Sequence, residues 1–211
     1  MRRLIIMAAM LAAIGAIFWV WPPFRIVPLH QARTAKARGE FNAADYALKF
    51  WSERLGPTLS RAADANTFLN ALRQDPKSAA TEYGRTVGMS DTVYYLIGGT
   101  GTVFSVEASG VTVSLRDGEG EPDLLLKTGL LFGNTIRDAT GLLNPSHFPN
   151  SQDFNEISTE LNRIVEAKII PRLKTGAVPG RRIRFVAAVE LESEMEVGRP
   201  LKGTPLRAEF E

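Results

Sequence analysis

The chain opens with an apolar run from Leu4 to Trp21, set between Arg2-Arg3 and Pro22-Pro23. At roughly 1.5 Å of rise per residue, a helix over this run crosses the hydrocarbon core of a bilayer. The two arginines hold its start on the cytoplasmic side, so everything after Pro23 is expected outside. Pro22 and Pro23 stop the helix where water resumes, and Trp19 and Trp21 fall where amphipathic rings favour the interface. The expectation is a single-pass anchor in a bacterial inner membrane through residues 4–21, with a periplasmic C-terminal domain. A signal peptide removed after export competes, because Ala13-Ile14-Gly15 places small residues at a peptidase's spacing. That cut would leave Ala16 to Trp21 as a greasy mature terminus, which favours retention.

Cysteine is absent. Disulfides, thiolate metal sites and a thiol nucleophile are therefore excluded, as is the lipid-attachment residue of a lipoprotein. Net charge is only +2, too small an excess to create a strong field for nucleic acid. Lys168, Arg172, Lys174, Arg181, Arg182 and Arg184 crowd one stretch. They read as solvated faces of a helix end and a strand, with an anionic lipid or polyanion surface as the sharper alternative.

Residues 24–88 read as a connector and helical segment. Asn42 is placed to cap a helix carrying Phe41, Ala44, Leu48, Trp51 and Leu55 on one face, and Pro57 kinks or ends it. Further helices are expected over 64–73 and 77–83. The period then changes from 3.6 to 2 for a β-rich domain over 89–211. Thr92 to Ile97 and Thr102 to Glu107 read as strands joined by a turn at Gly98-Gly99-Thr100-Gly101. Val111, Val113 and Leu115 mark a half-buried strand, and Asp123 to Thr128 another. Gly129 to Gln152 is loop-rich. Asp153 with Glu156 starts a helix with Phe154, Ile157, Leu161, Ile164 and Val165 inward, and Pro171 limits its length. Ile183, Phe185, Ala187, Val189 and Leu191 give the cleanest alternation, followed by Leu206, Ala208 and Phe210. Meandering strands, one long helix, then two strands is the order of an α+β chain with an OB-like β-barrel or a compact β-meander. In that arrangement the long helix plugs one end of the barrel.

Catalytic signatures are sparse. Ser146-His147 lies in a loop without a nucleophile elbow, and a periplasmic hydrolase using the pair is the enzyme alternative. An OB-type nucleic-acid-binding domain is the other alternative, if the domain were cytoplasmic, with Tyr94, Tyr95 and Phe104 as stacking rings and Arg181-Arg182-Arg184 as the basic cluster. Asp117, Glu119 and Asp123 sit at alternate positions of an acidic turn and are the metal candidates. Leu115 occupies the first ligand position of a calcium-type loop and offers no side-chain oxygen, so no metal and no cofactor is expected. Arg137, Asp138, Asn144, Asp153 and Asn155 gather in the loop-rich middle and are the candidate ligand or partner contacts, since an arginine there is able to hold a carboxylate or phosphate.

Phe24-Arg25-Ile26-Val27-Pro28-Leu29 after the apolar run, the Phe41…Tyr46…Trp51 helix, Glu82-Tyr83-Gly84 and Arg137-Asp138 carry a resemblance. So do Asp153-Phe154…Leu161-Asn162 and Gly180-Arg181-Arg182-Ile183-Arg184-Phe185. Together they resemble an uncharacterised bacterial family of predicted periplasmic lipoproteins, over nearly all of 24–210. The resemblance implies an OB-like fold and companionship with sugar-type ABC uptake systems, hence an accessory or binding role in a membrane transport complex and no known reaction. Members of that family carry a lipid-bearing cysteine and a fuller aspartate-glycine loop. Here a retained helix is expected to replace the lipid, and no catalytic residue carries over.

Overall fold

The computed structural model describes residues 41–88, 90–116, 121–148, 150–192 and 198–211. The anchor and connector expected over residues 1–40 lie outside them, as do Asp117 and Glu119. No helix among the described residues is long and apolar enough to cross a membrane.

Asn42 caps helix α1 (Ala43–Lys49), its Oδ1 accepting from the N–H groups of Ala44 and Asp45. The helix continues through a π turn, Phe50–Leu55, into α2 (Gly56–Leu59). The π turn widens the spiral just before Pro57, whose ring would otherwise strike the carbonyl four residues back. Pro57 therefore neither ends nor breaks the helix. The five-residue step from Phe50 to Leu55 also shifts the inward face, which is Ala43, Ala47, Phe50 and Leu55, while Ala44 and Leu48 are exposed.

A two-residue strand β1 (Ala63–Asp64) leads to α3 (Ala65–Gln74), capped by Asp64, and α4 (Pro76–Tyr83), capped by Asp75. Strand β2 (Thr92–Val106) then runs unbroken through Gly98-Gly99-Thr100-Gly101. The expected turn is absent because these glycines admit close neighbours: a Cβ on Gly101 would lie 2.6 Å from the Ser114 carbonyl oxygen. Strands β3 (Gly110–Ser114) and β4 (Leu124–Lys127) follow, then α5 (Thr135–Thr140) and a single 3-10 turn (Pro145–His147). Helices α6 (Ser151–Lys168) and α7 (Ile170–Gly176) precede β5 (Arg182–Glu192) and β6 (Leu201–Phe210). The cap of α6 is Asn150, with Asp153 three residues inside, not Asp153 itself.

The ladders run β2–β3–β4–β6–β5, and β5 pairs again with β2. β2 serves β5 from Thr92 to Thr102 and β3 from Thr102 to Val106, so this one long strand carries both neighbours. The sheet is mixed, not a simple meander, because β4 pairs with β6 in parallel. Inside lie Val103, Val111, Val113, Leu124, Leu126, Ile183, Phe185, Ala187 and Val189, and Phe68, Leu69 and Leu72 of α3 fill the centre with them. The long helix α6 is not the plug. It packs on α1 and α5, and α5 covers the outer face of β2 and β5. Val186 and Ala188 point outward yet are buried, and Thr112 and Ser114 of β3 are buried too, so these strands are covered on both faces. Residues 42–211 thereby form one compact unit.

Candidate functional site

All six residues of α5 are buried, Arg137 and Asp138 among them. The Arg137 guanidinium grips its neighbour by two hydrogen bonds, Nε to Asp138 Oδ1 at 2.6 Å and Nη2 to Oδ2 at 3.0 Å. Nη1 donates to the Phe154 carbonyl at 3.0 Å and to Asn155 Oδ1 at 3.2 Å, and the guanidinium carbon stacks 3.7 Å from the Phe154 ring centroid. Arg137, Asp138 and Asn155 thus converge as expected from their sequence region. Their geometry ties α5 to α6 and leaves Arg137 facing protein groups instead of a ligand. Asn144 and Asp153 stand apart in capping roles: Asn144 Oδ1 accepts from Ser146 N–H at 3.0 Å, and Asp153 Oδ2 accepts from Asn150 Nδ2 at 3.0 Å.

Ser146 donates its hydroxyl to Asn144 Oδ1 at 2.7 Å, so the exposed His147 beside it is not its hydrogen-bond partner. Tyr94 and Tyr95 are buried, leaving Phe104 as the exposed ring of the three proposed for stacking. Arg182 and Arg184 both lie within 4 Å of the Glu211 carboxylate, so the basic cluster is partly neutralised. Asp123 is also engaged: Oδ1 accepts from Arg73 at 2.7 Å and Arg116 at 3.3 Å, and Oδ2 accepts from the Leu115 N–H. A cation at Asp123 would have to displace two guanidiniums. Among the described residues no group of three or more histidines and carboxylates is placed to hold a metal.

The feature that the polar residues did not reveal is a ridge from Gly129 to Asn134. Leu131 is buried, and its N–H donates to Glu166 Oε1 at 2.7 Å. Asn162 Nδ2 donates to the Gly133 carbonyl at 3.2 Å. Between these two pins from α6, Leu130 and Phe132 are 77% and 79% exposed. Large apolar side chains held outward on a pinned loop mark contact surfaces more often than scattered exposed leucines do. The signal was present in the sequence as three apolar residues enclosed by Gly129 and Gly133, with no alternation to make them a strand.

Two clefts meet at this ridge, both lined by Gly133 and Asn134. One, of about 350 Å³, lies along α6 beneath Leu130 and Phe132 and reaches Ser158, Asn162 and Glu166. The other, of about 530 Å³, is lined by Thr92, Tyr94, Glu190, Glu192 and Lys202. Thr135 Oγ1 donates to Glu190 Oε2 at 2.5 Å at the margin of this second cleft. Burial first, then the charges of Asp138 and Glu190, push the Tyr94 hydroxyl above its ordinary pKa, with Arg137 opposing them. Tyr94 lines this cleft with a phenolic hydroxyl, a group able both to donate and to accept a hydrogen bond.

The family described as predicted periplasmic lipoprotein (DUF2291) matches residues 11–209. The crystal structure of an OB-fold protein from Thermotoga maritima superposes with a TM-score of 0.76 at 31% identity, over 82% of this chain and 100% of that one. No curated protein matches the chain.

Proposed function

The chain belongs to the predicted periplasmic lipoprotein family, and on that premise we propose that it is an exported, membrane-held accessory protein without catalytic activity that docks on a membrane transport complex. The observation that carries this reading is the pinned ridge, with Leu130 and Phe132 turned to solvent between two clefts. A tether raises the local concentration of such a surface near membrane partners, so a modest interface suffices. With no cysteine to carry a lipid, the apolar run 4–21 supplies the tether. The hydroxyl of Ser146, donated to Asn144 Oδ1, supports a non-catalytic role. Sugar-type ABC uptake systems are the neighbours that the family resemblance implies.

The test has three arms. A C-terminal alkaline phosphatase fusion is expected to be active and a C-terminal green fluorescent fusion dark; the opposite pair removes the periplasmic placement. Deletion is expected to change the abundance or rate of an uptake system. Turnover of ester, peptide, phosphoester or glycoside substrates by the pure protein, abolished by Ser146→Ala or His147→Ala, would replace this reading with a hydrolase.

A further inference from the structure

On the outer face of β5, Val186 and Ala188 are buried, whereas Glu190 and Glu192 reach solvent. The ladder sets Tyr94 opposite Glu190 and Thr92 opposite Glu192. Val93, Tyr95 and Val189 point into the core, so these four side chains share the outer face. They form one wall of the cleft of about 530 Å³, within the range of ligand-sized cavities, roughly 300–1,000 Å³. The polar groups of this wall are short of partners. Tyr94 is 9% exposed, and its hydroxyl makes no hydrogen bond among the described residues. The sealed side-chain oxygens without a partner there are those of Thr128 and Ser158, so the Tyr94 oxygen is reached from solvent, and the cleft is the opening that Tyr94 lines. Glu190 gives Oε2 to Thr135 and keeps Oε1. The Glu192 carboxylate and the Lys202 ammonium, both in the cleft, make no hydrogen bond or ion pair among the described residues.

We propose that this cleft binds a small organic amine, its ammonium donating to Glu190 Oε1, Glu192 and the Tyr94 hydroxyl and its hydrocarbon chain lying against Leu191, Pro200 and Leu201. Three acceptors match the three N–H groups of a primary ammonium. Two carboxylates on neighbouring outward positions repel each other, and Lys202 stands outside ion-pair reach of both, so the wall favours a cation and disfavours an anion. Burial first, then the charges of Asp138 and Glu190, raise the Tyr94 pKa against Arg137, which places the hydroxyl in a negative potential that also suits an ammonium. A divalent metal is poorly served: two carboxylates fall short of the six to eight oxygens that calcium takes, and no group of three or more metal-ligating side chains forms among the described residues. This site is separate from the ridge as a partner surface, so amine binding and the uptake phenotype stand or fall independently.

The test uses the full chain in detergent micelles, with n-butylamine, protonated at neutral pH, as the probe and 1-butanol and butyrate as controls of the same chain length. Saturable NMR shifts at Thr92, Tyr94 and the Asn134 side-chain amide are expected from n-butylamine and from neither control. Glu192→Gln is expected to weaken the probe about tenfold, as losing a charge-assisted hydrogen bond does. Tyr94→Phe is expected to weaken it too while the melting temperature holds, because no protein group loses a partner. Lys202→Met is expected to tighten binding, since it removes a cation that competes for the carboxylates. Equal shifts from 1-butanol, unchanged affinity in Glu192→Gln, or weaker binding in Lys202→Met would overturn the inference. So would displacement of the probe by equimolar calcium, or a lowered melting temperature in Tyr94→Phe, which would assign the hydroxyl to the fold.

Discussion

Asp123, 4% exposed and immediately before β4, accepts a hydrogen bond from Arg73 at 2.7 Å, although fifty residues separate them. The pair joins the end of α3, whose Phe68 and Leu72 fill the sheet interior, to the β3–β4 connection. Burial pushes the Asp123 carboxyl up, but the Arg73 hydrogen bond, the Leu115 N–H and the charges of Arg116 and Arg73 outweigh it. Its pKa is therefore lowered. Stability from this group is fully present above the unfolded-state value, about 3.9, and is lost as pH falls through the lower folded value. Denaturant unfolding between pH 7 and pH 2.5 should show that acid limb, and Asp123→Asn should flatten it. Arg73→Ala should cost about 2–3 kcal/mol at pH 7, less than for a fully buried pair because Arg73 reaches solvent and Arg116 remains.

Arg137 is held more completely. Its removal would strand the Asp138 carboxylate, and Arg137→Ala should destabilise by about 3–5 kcal/mol. Lysine should not rescue it, because an ammonium reproduces neither the two-point grip on Asp138 nor the stacking on Phe154. Chemical denaturation of the alanine and lysine variants checks both statements. A loss below about 0.5 kcal/mol in Arg137→Ala, the range of ordinary surface changes, would return this arginine to the ligand-facing role that its sequence neighbourhood suggested.

Two glycines should respond with opposite signs. At Gly101 a Cβ meets the Ser114 carbonyl oxygen and Val113 Cγ1 at 2.6 Å, so Gly101→Ala must push strands apart and should cost about 2–3 kcal/mol. Gly56 sits where the π turn passes into α2, with open space for at least 4 Å around the place a Cβ would take, and Gly56→Ala should stabilise by about 0.5–1 kcal/mol. Paired melting curves against the parent protein decide it. A neutral or stabilising Gly101→Ala would mean that β2 does not pass through Gly98 to Gly101 as one strand.

These contrasts show where the sequence was readable. The cap at Asn42 and the inward set Ile183, Phe185, Ala187 and Val189 rest on local chemistry and period, and the structure uses them as expected. Gly98 to Gly101 misled because glycine serves turns and close strand approach alike, and only the Ser114 carbonyl opposite distinguishes them. The inward face of α1 was displaced because a π turn breaks the 3.6 period that places residues on a face. The region of the candidate site was legible through Arg137 and Asp138, but their role was not: a guanidinium facing a ligand and one facing Phe154 have the same local sequence. The ridge escaped because solvent exposure of Leu130 and Phe132 depends on the distant pins Glu166 and Asn162.

That ridge yields the last prediction. Side chains exposed as fully as Leu130 and Phe132 contribute little to the folded state, so replacing both with serine should change stability by no more than about 0.5 kcal/mol. If they instead serve a partner, each contributes on the order of 1.5–3 kcal/mol when buried there, and losing both should reproduce the deletion phenotype in uptake. Glu166→Ala provides the complementary case. It keeps both apolar side chains but releases the Leu131 N–H that holds the ridge outward, so a partial phenotype is expected from lost preorganisation rather than lost contact area. Stability is read by denaturant titration of the purified chain and function by uptake rate and transporter abundance in cells carrying each variant. A double serine variant that is stable, membrane-held and wild-type in uptake would show that the ridge serves no transport partner.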